Sequence, residues 1–339
     1  MSVEVDNPCV VIAEAGVNHN GDINLAKRLV SIAAESGADY VKFQTFQASE
    51  LVTKTASKAR YQEVEDSQES QFEMLKSLEL SKEQHEKLYA QCEKEGIKFL
   101  STGFDVDSID MLVALGIELI KIPSGEITNY SYLQHIGGLG KPLILSTGMA
   151  NLAEIEEALD LLVASGSDRN KITILHCTTN YPAEVSEVNL RAMLTIQEKF
   201  QCAVGYSDHT LGSEISLGAI ALGASVIEKH FTLDKNLPGP DHKASLSPNE
   251  LKDFVSRIRT LEIALGSFIK GPTESEKDNM KVARRSIVAS QPIAQGETFT
   301  SLNLAAKRPG TGTSPMKIPF LLGRQATRSY EPDEFVEIE

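Results

Sequence analysis

Positive charge is scarce in this 339-residue chain: 33 Lys and Arg stand against 47 Asp and Glu, a formal net charge of −14. Such a surface repels polyanions, so nucleic acids and anionic membranes are not expected as partners. An anionic ligand can be held only where a few lysines or a metal reverse the local field. No apolar run reaches the 18 or so residues a membrane span needs. The start, MSVEVDNPCVVIAEAG, has neither a basic segment nor a small-residue cleavage site. It reads as the approach to a first strand rather than a signal peptide, and the expected location is cytoplasmic. Cysteine is sparse too: Cys9, Cys92, Cys177 and Cys202 lack any CxxC spacing and are expected as reduced core residues, not zinc ligands or disulfides. No GxGxxG follows the first apolar run, which weakens a dinucleotide-binding reading.

What is present is alternation. Short β-branched runs at 9–13, 40–44, 98–101, 119–122, 142–146, 172–176, 203–206 and 226–229 are interleaved with amphipathic stretches. The helical stretches fall at 23–35, 82–95, 106–115, 130–137, 152–164, 190–199, 214–222 and 248–265. Ser81 with Gln84, Asn151 with Glu154 and Ser247 with Glu250 have the spacing of helix caps, and Pro248 stands where a first helical residue tolerates proline. Eight strands alternating with eight helices predict a (β/α)₈ TIM barrel over 1–267, with a doubly wound sheet as the alternative. The texture then changes. Residues 268–281 read as a polar linker punctuated by Gly271-Pro272. Residues 282–339 read as a small β-rich domain, with β-like pieces at 286–289, 298–299 and 335–338 and a short helix near 318–322. A domain that small is expected to lean on a partner surface.

In a (β/α)₈ barrel the reacting groups stand at the C-terminal ends of the strands. There the sequence offers Glu14 on strand one, Lys42 and Gln44 on strand two, and Ser101-Thr102 on strand three. Strand four gives Lys121, then Ser124 and Glu126, and strand five gives Ser146-Thr147-Gly148. His176 ends strand six with Asn180 and Tyr181 beyond it; Ser207-Asp208-His209 follow on strand seven, and Glu228 and His230 on strand eight. Residues two apart on a strand share a face, so Lys42 pairs with Gln44 and Glu228 with His230. Two rim lysines in an acidic chain fit a phosphate or carboxylate ligand; ordinary salt bridges are the alternative. Ser146–Gly148 leads into the helix capped at Asn151, where hydroxyls and backbone N–H groups suit a phosphate. His209 and His230, on neighbouring strands, suit a divalent metal with open positions, or else are two separate hydrogen-bonding histidines. His176 reads as a core or supporting residue. Pro238, Gly239 and Pro240 stiffen a loop that would hold Asp241 over the mouth; an ordinary solvent loop is the alternative.

Several motifs occur in order: Glu14-Ala-Gly-Val-Asn-His-Asn-Gly21, Lys42-Phe-Gln44, Lys121-Ile-Pro-Ser-Gly-Glu126, Ser146-Thr-Gly148, Ser207-Asp-His-Thr210, Glu228-Lys-His-Phe231, Gly239-Pro-Asp241 and Lys307-Arg-Pro-Gly310. Together they resemble the sialic acid synthase (N-acetylneuraminate synthase) family, which includes the legionaminic acid synthases. The resemblance implies a barrel followed by an antifreeze-like (SAF) domain. It implies condensation of phosphoenolpyruvate with an N-acylated amino sugar, and a divalent cation, Mn²⁺ first and Mg²⁺ or Co²⁺ as alternatives. It also implies a domain-swapped homodimer. Carried over by position, it implies that His209 and His230 hold the metal, that Lys121, Ser124 and Ser146 bind the phosphate with Thr102 nearby, and that Lys42 serves the carboxylate. Glu14, Gln44, Tyr181 and Asp241 would face the sugar, with Ser207 and Glu228 among the substrate-binding residues. Glu126 or Glu14 would handle the water proton, Asp241 joins them as a catalytic candidate, and Arg308 would reach the sugar from a partner chain. The motif Cys177-Thr-Thr-Asn-Tyr-Pro182 leaves Thr179 and Asn180 as alternative ligand contacts.

The expected acceptor is N-acetylmannosamine, giving N-acetylneuraminate; the alternative is 2,4-diacetamido-2,4,6-trideoxymannose, giving N,N'-diacetyllegionaminate. Remote rivals are a Schiff-base aldolase or lyase using Lys42 or Lys121, and a non-enzymatic carbohydrate- or ice-binding protein.

Overall fold

The computed structural model describes residues 7–58 and 70–338; the first six residues of the stretch read as the approach to strand one lie outside it. The chain divides into two units between Gly266 and Ser267.

In the first unit eight parallel strands close into a barrel in chain order. They are β1 (Val10–Gly16), β2 (Tyr40–Thr45), β3 (Lys98–Gly103), β4 (Ile120–Ile122), β5 (Leu143–Ser146), β6 (Ile172–Cys177), β7 (Ala203–Asp208) and β8 (Val226–His230). The helices Ile23–Glu35, Lys82–Glu95, Val106–Leu115, Leu152–Ala164 and Pro248–Leu265 have the bounds the periodicity predicts. Capping boxes at Ser81/Gln84, Asn151/Glu154 and Ser247/Glu250 start three of them. Each box satisfies backbone N–H groups that a first helical turn leaves without partners.

Alternation along the strands sorts the core into two faces. Outward residues such as Val11, Ala13, Val41 and Phe43 pack on buried helix residues including Leu29, Leu88 and Phe254. Ile12, Leu100, Ile144, Leu175 and Val226 form a separate apolar cluster. Two residues further on, the same faces carry Glu14, Thr102, Ser146, Cys177 and Glu228. The shared face thus turns from aliphatic to polar within one pleat, about 7 Å of strand.

Between β2 and β3 lie two helices that the sequence pattern does not reveal, Ala48–Leu51 and Gln71–Leu78, the latter opened by a Ser70/Glu73 capping box. They help to build a small apolar cluster of their own from Val17, Phe46, Met74 and Leu78, with Leu51, Leu75 and Phe104 packed against it.

The second unit corrects the linker reading. Residues 274–283 form a helix, Glu274–Ala283, opened by a Thr273/Glu276 capping box. None of its residues is buried, so it lacks the apolar stripe by which a sequence announces a helix. β9 (Ser286–Ala289) pairs antiparallel with β10 (Leu304–Lys307). The pieces expected at 298–299 and 335–338 contribute only isolated bridges, Thr298 to Gln325 and Phe335 to Val288. A short helix runs over Ile318–Leu321. Ile287, Ile293, Phe299, Leu304, Leu321, Tyr330 and Val336 belong to the core of this unit.

Candidate active site

A cavity of about 330 Å³ opens at the C-terminal ends of the barrel strands. Its floor is a buried ionic cluster. Lys42 Nζ lies 2.8 Å from Glu14 Oε2 and 3.6 Å from Glu228 Oε1, and donates to Thr102 Oγ1 at 2.9 Å. Lys121 Nζ lies 3.6 Å from Glu228 Oε2. Ser207 Oγ donates to Glu228 Oε1 at 3.2 Å, and Gln44 Nε2 to Glu14 Oε1 at 3.3 Å. The parallel register sets Glu14 beside both Lys42 and His230, and Ser207 beside Glu228.

Burial works against every charge here, and the neighbours decide the outcome. At Glu228 burial pushes the carboxyl up, but Lys121 and Lys42 outweigh it and hold it well below the usual range. At Glu14 burial prevails over Lys42, and the charge of Glu228 adds to it, so the carboxyl is raised. Burial would depress Lys42, but its two carboxylates prevail and raise it. Lys121 is lowered by burial, which Glu228 only partly offsets and Lys42 reinforces. Lys121 is therefore the less compensated cation and gains more from an arriving anion.

Further polar groups line the cavity. Ser146 Oγ is buried with no hydrogen-bond partner. Ser124, on the 3₁₀ turn after β4, accepts from the Gly148 N–H at 2.9 Å. Of the expected Ser146-Thr147-Gly148 cradle, Ser146 lines the cavity, whereas Thr147 donates to Leu175 O at 2.8 Å. Gly148 has no room for a side chain: a Cβ would stand 2.2 Å from Thr179 Oγ1 and 2.9 Å from Ser124 Oγ. Gly16 is required on two counts. Its φ is 53°, at the bulge that ends β1, and a Cβ would press to 3.3 Å on Glu14 Oε1 and 3.4 Å on His230 Cε1.

On the other flank stand His209 and His230, ring centroids 5.6 Å apart, with the Tyr181 ring 4.0 Å from the first and 5.5 Å from the second. His209 Nδ1 donates to Thr178 O at 2.6 Å, which leaves Nε2 as the lone-pair nitrogen. His230 Nδ1 is buried without a hydrogen bond, 3.7 Å from Asp241 Oδ2. Burial holds both imidazoles low, His209 at about 4, so both are neutral near pH 7. Neutral, oriented imidazoles are the form that binds a divalent cation, and this pair fits one. Among the described residues no cluster of three or more His, Cys, Asp and Glu ligands forms. The two histidines alone would leave coordination positions for water or substrate. Burial pushes the Asp241 carboxyl up to about 6, with Lys42 opposing. Its loop is tied down: His242 bridges Thr232 Oγ1 and Asn20 Oδ1, and Ser245 Oγ, which accepts from Asn18 Nδ2, donates to Asp241 O.

The structure thus brings Glu14, Lys42, Gln44, Thr102, Lys121, Ser124, Ser146, Tyr181, Ser207, His209, Glu228, His230 and Asp241 to one cavity. Glu126 does not line it. The turn after β4 carries its carboxylate to Asn129 Nδ2, 2.7 Å away. Arg308 lies in the second unit, exposed, its Nε–H donating to Ala283 O at 3.0 Å. Thr179 lines the cavity and Asn180 does not. His176 is a supporting residue, bonded to Val188 O at 2.7 Å. All four cysteines are free and buried. Sequence reasoning missed Val17, Phe46, Leu51, Val52, Leu75 and Phe104, which also line the cavity. For Phe46, Leu51, Val52 and Leu75 the signal was the length of chain between β2 and β3, which exceeds what one helix uses.

The NeuB family model matches residues 29–270, and the SAF domain model residues 284–337. The chain is 54% identical over 328 residues to the N,N'-diacetyllegionaminic acid synthase of Campylobacter jejuni, covering 96% of this chain and 98% of that one. It is 51% identical over 318 residues to the protein of the same name from Legionella pneumophila, covering 93% and 89%. Among solved structures it is similar to the N-acetylneuraminic acid (sialic acid) synthetase of Leptospira borgpetersenii serovar Hardjo-bovis in complex with citrate. The TM-score is 0.71 and the identity 35%, over 81% of this chain and 90% of that one.

Proposed function

This chain belongs to the NeuB family, and on that premise we propose that it condenses phosphoenolpyruvate with 2,4-diacetamido-2,4,6-trideoxymannose and water, giving N,N'-diacetyllegionaminate and phosphate. The coarser statement stands by itself: the protein is a nonulosonic acid synthase, an enzyme that joins phosphoenolpyruvate to an amino sugar. The observation that favours this acceptor is the pair of relatives named for that product at 54% and 51% identity, against 35% for the synthetase named for sialic acid. On that ground N-acetylmannosamine yields its place as the preferred acceptor.

In this reading C3 of phosphoenolpyruvate attacks the aldehyde carbon of the open-chain sugar and forms the new C–C bond. Water then adds at C2, and phosphate departs as its C–O bond breaks. Lys121, Ser124 and Ser146 bind the phosphate and Lys42 the carboxylate. Glu228 acts as the counter-ion that holds both lysines in place, and Ser207 orients it. Gln44 and Tyr181 face the sugar. Glu14 and Asp241, both raised by burial, are the carboxyl groups suited to exchanging the water proton near neutral pH. His209 and His230 would hold a divalent cation, Mn²⁺ before Mg²⁺ or Co²⁺, which would supply polarisation of the aldehyde oxygen. Aligning two substrates within one mouth supplies much of the remaining acceleration. The proposal includes a cytoplasmic homodimer in which Arg308 of one copy serves the other's sugar site.

The test is phosphate release from phosphoenolpyruvate and Mn²⁺, with the two acceptors side by side. A higher kcat/KM with the trideoxy sugar supports the reading. Preference for N-acetylmannosamine keeps the chemistry and overturns the acceptor, and silence with both overturns the reading. Borohydride inactivation in the presence of a keto acid would instead favour the Schiff-base rival.

A further inference from the structure

We infer that the outer wall of the cavity, built by Val17, Phe46, Leu51, Val52, Leu75 and Phe104, selects the acceptor by its deoxygenated end; this inference rests on the reading above. The cavity is divided by chemistry. Its ionic groups sit within the strands, where Lys42, Lys121, Glu14 and Glu228 are all buried. The apolar wall lies just past the strand ends on one side. Val17 follows Glu14 by three residues, Phe46 follows Gln44 by two, and Phe104 follows Thr102 by two. The chain between β2 and β3 brings the other three. Gln71 is the polar member of this segment at the cavity.

The wall is a packed object and not a scatter of side chains. Five of its six residues belong to the small cluster around Met74 and Leu78, apart from the barrel core. The phosphate groups of the site, Lys121, Ser124 and Ser146, stand on or after β4 and β5, and β5 lies four strands away from β1 in the closed barrel. A sugar whose aldehyde end meets the histidines and whose inner edge meets Glu14 and Gln44 therefore directs its far end at the apolar wall. A methyl at C6 and the methyl of a C4 acetamido group lose water there at no cost in hydrogen bonds. A C6 hydroxymethyl finds no matching partner among these six side chains. Discrimination of this kind is bounded: an apolar pocket rejects an added hydroxyl by about 10²-fold.

The experiment uses the full-length enzyme with phosphoenolpyruvate, Mn²⁺ and each acceptor, and compares wild type with Val52→Thr and Leu75→Gln. Val52→Thr is close to isosteric and keeps the cluster packed, so it covers the case in which Leu75→Gln unfolds. The expected result is a fall of about tenfold in the ratio of kcat/KM values, trideoxy over hydroxylated sugar. The change should come mainly from a higher KM for the trideoxy sugar, with the KM for phosphoenolpyruvate as the control at the opposite wall. An unchanged ratio in a folded Val52→Thr enzyme overturns the wall and leaves the proposed function intact. Equal losses for both sugars overturn it too, because they mark a structural role. No phosphate release by the wild type with either sugar overturns the function, and the wall falls with it.

Discussion

Replacing Glu228 by Gln removes one charge from the buried cluster while leaving its shape nearly unchanged. At an effective dielectric constant near 20, two unit charges 3.6 Å apart attract by about 4.6 kcal/mol. Glu228 makes two such pairs, with Lys42 and Lys121, so roughly 9 kcal/mol of attraction is lost. Against this, a buried carboxylate no longer has to be kept out of water, which returns several kcal/mol. The net loss is about 3–5 kcal/mol, the range for breaking a buried pair. At about 2 °C per kcal/mol for a domain of this size, the unfolding midpoint falls by about 6–10 °C. The variant also carries an excess positive charge at its floor. Inorganic phosphate should therefore raise its Tm by more than it raises that of the wild type. The assay is thermal unfolding with and without phosphate at constant ionic strength. A midpoint within about 1 °C of the wild type, with the same response to phosphate, would refute the view that Glu228 is the resting counter-ion of both lysines.

Three further outcomes follow from the same geometry. Gly148→Ala drives a methyl into Thr179 Oγ1 and Ser124 Oγ, and displacing those groups should lower kcat/KM by about 10²-fold; near-normal turnover would show that they are not needed where they stand. Chelation should abolish phosphate release and Mn²⁺ should restore it, while His209→Ala and His230→Ala should each lose Mn²⁺ binding by calorimetry; wild-type affinity in both variants would remove the metal from this pair. His19, buried and accepting from the Gly21 N–H, is held at about 4 by burial. Its unfolded value near 6.5 is higher, so its contribution to stability is complete above pH 6.5 and is lost as the pH falls towards 4. Going from pH 7 to pH 5 should therefore cost the wild type about 2 kcal/mol more than His19→Gln in urea unfolding, and equal losses would contradict a neutral His19.

The barrel was legible because its signals are local and repeated. Cap spacings at Ser81, Asn151 and Ser247 and the periodic apolar runs placed the helices to within a residue or two. Strand ends were read short where it matters most. β1 continues through Glu14 to Gly16, β3 through Thr102 to Gly103 and β7 through Ser207 to Asp208. A polar residue after an apolar run looks like a turn, but here the polar side chains are still inside the barrel, paired with one another across strands. Pairings of that kind, such as Lys42 with Glu14 and Thr102, are fixed by strand register and carry no mark in one sequence. The position of Glu126, on a 3₁₀ turn with its carboxylate at Asn129, was not legible because a motif does not show where a turn directs a side chain. The helix Glu274–Ala283 was missed because it buries nothing, and the cluster around Met74 because its residues contact one another across breaks in the pattern.

The two parts of the cavity are drawn from the chain in different ways. The ionic floor is drawn from strands all around the barrel, so altering its chemistry would require coordinated changes at positions scattered over more than 200 residues. Much of the apolar wall comes from one segment between β2 and β3, with Phe46, Leu51, Val52 and Leu75 inside a stretch of about thirty residues. If the wall selects the sugar as inferred above, exchanging that one stretch should change the acceptor while the ionic floor, and the reaction it serves, stay as they are.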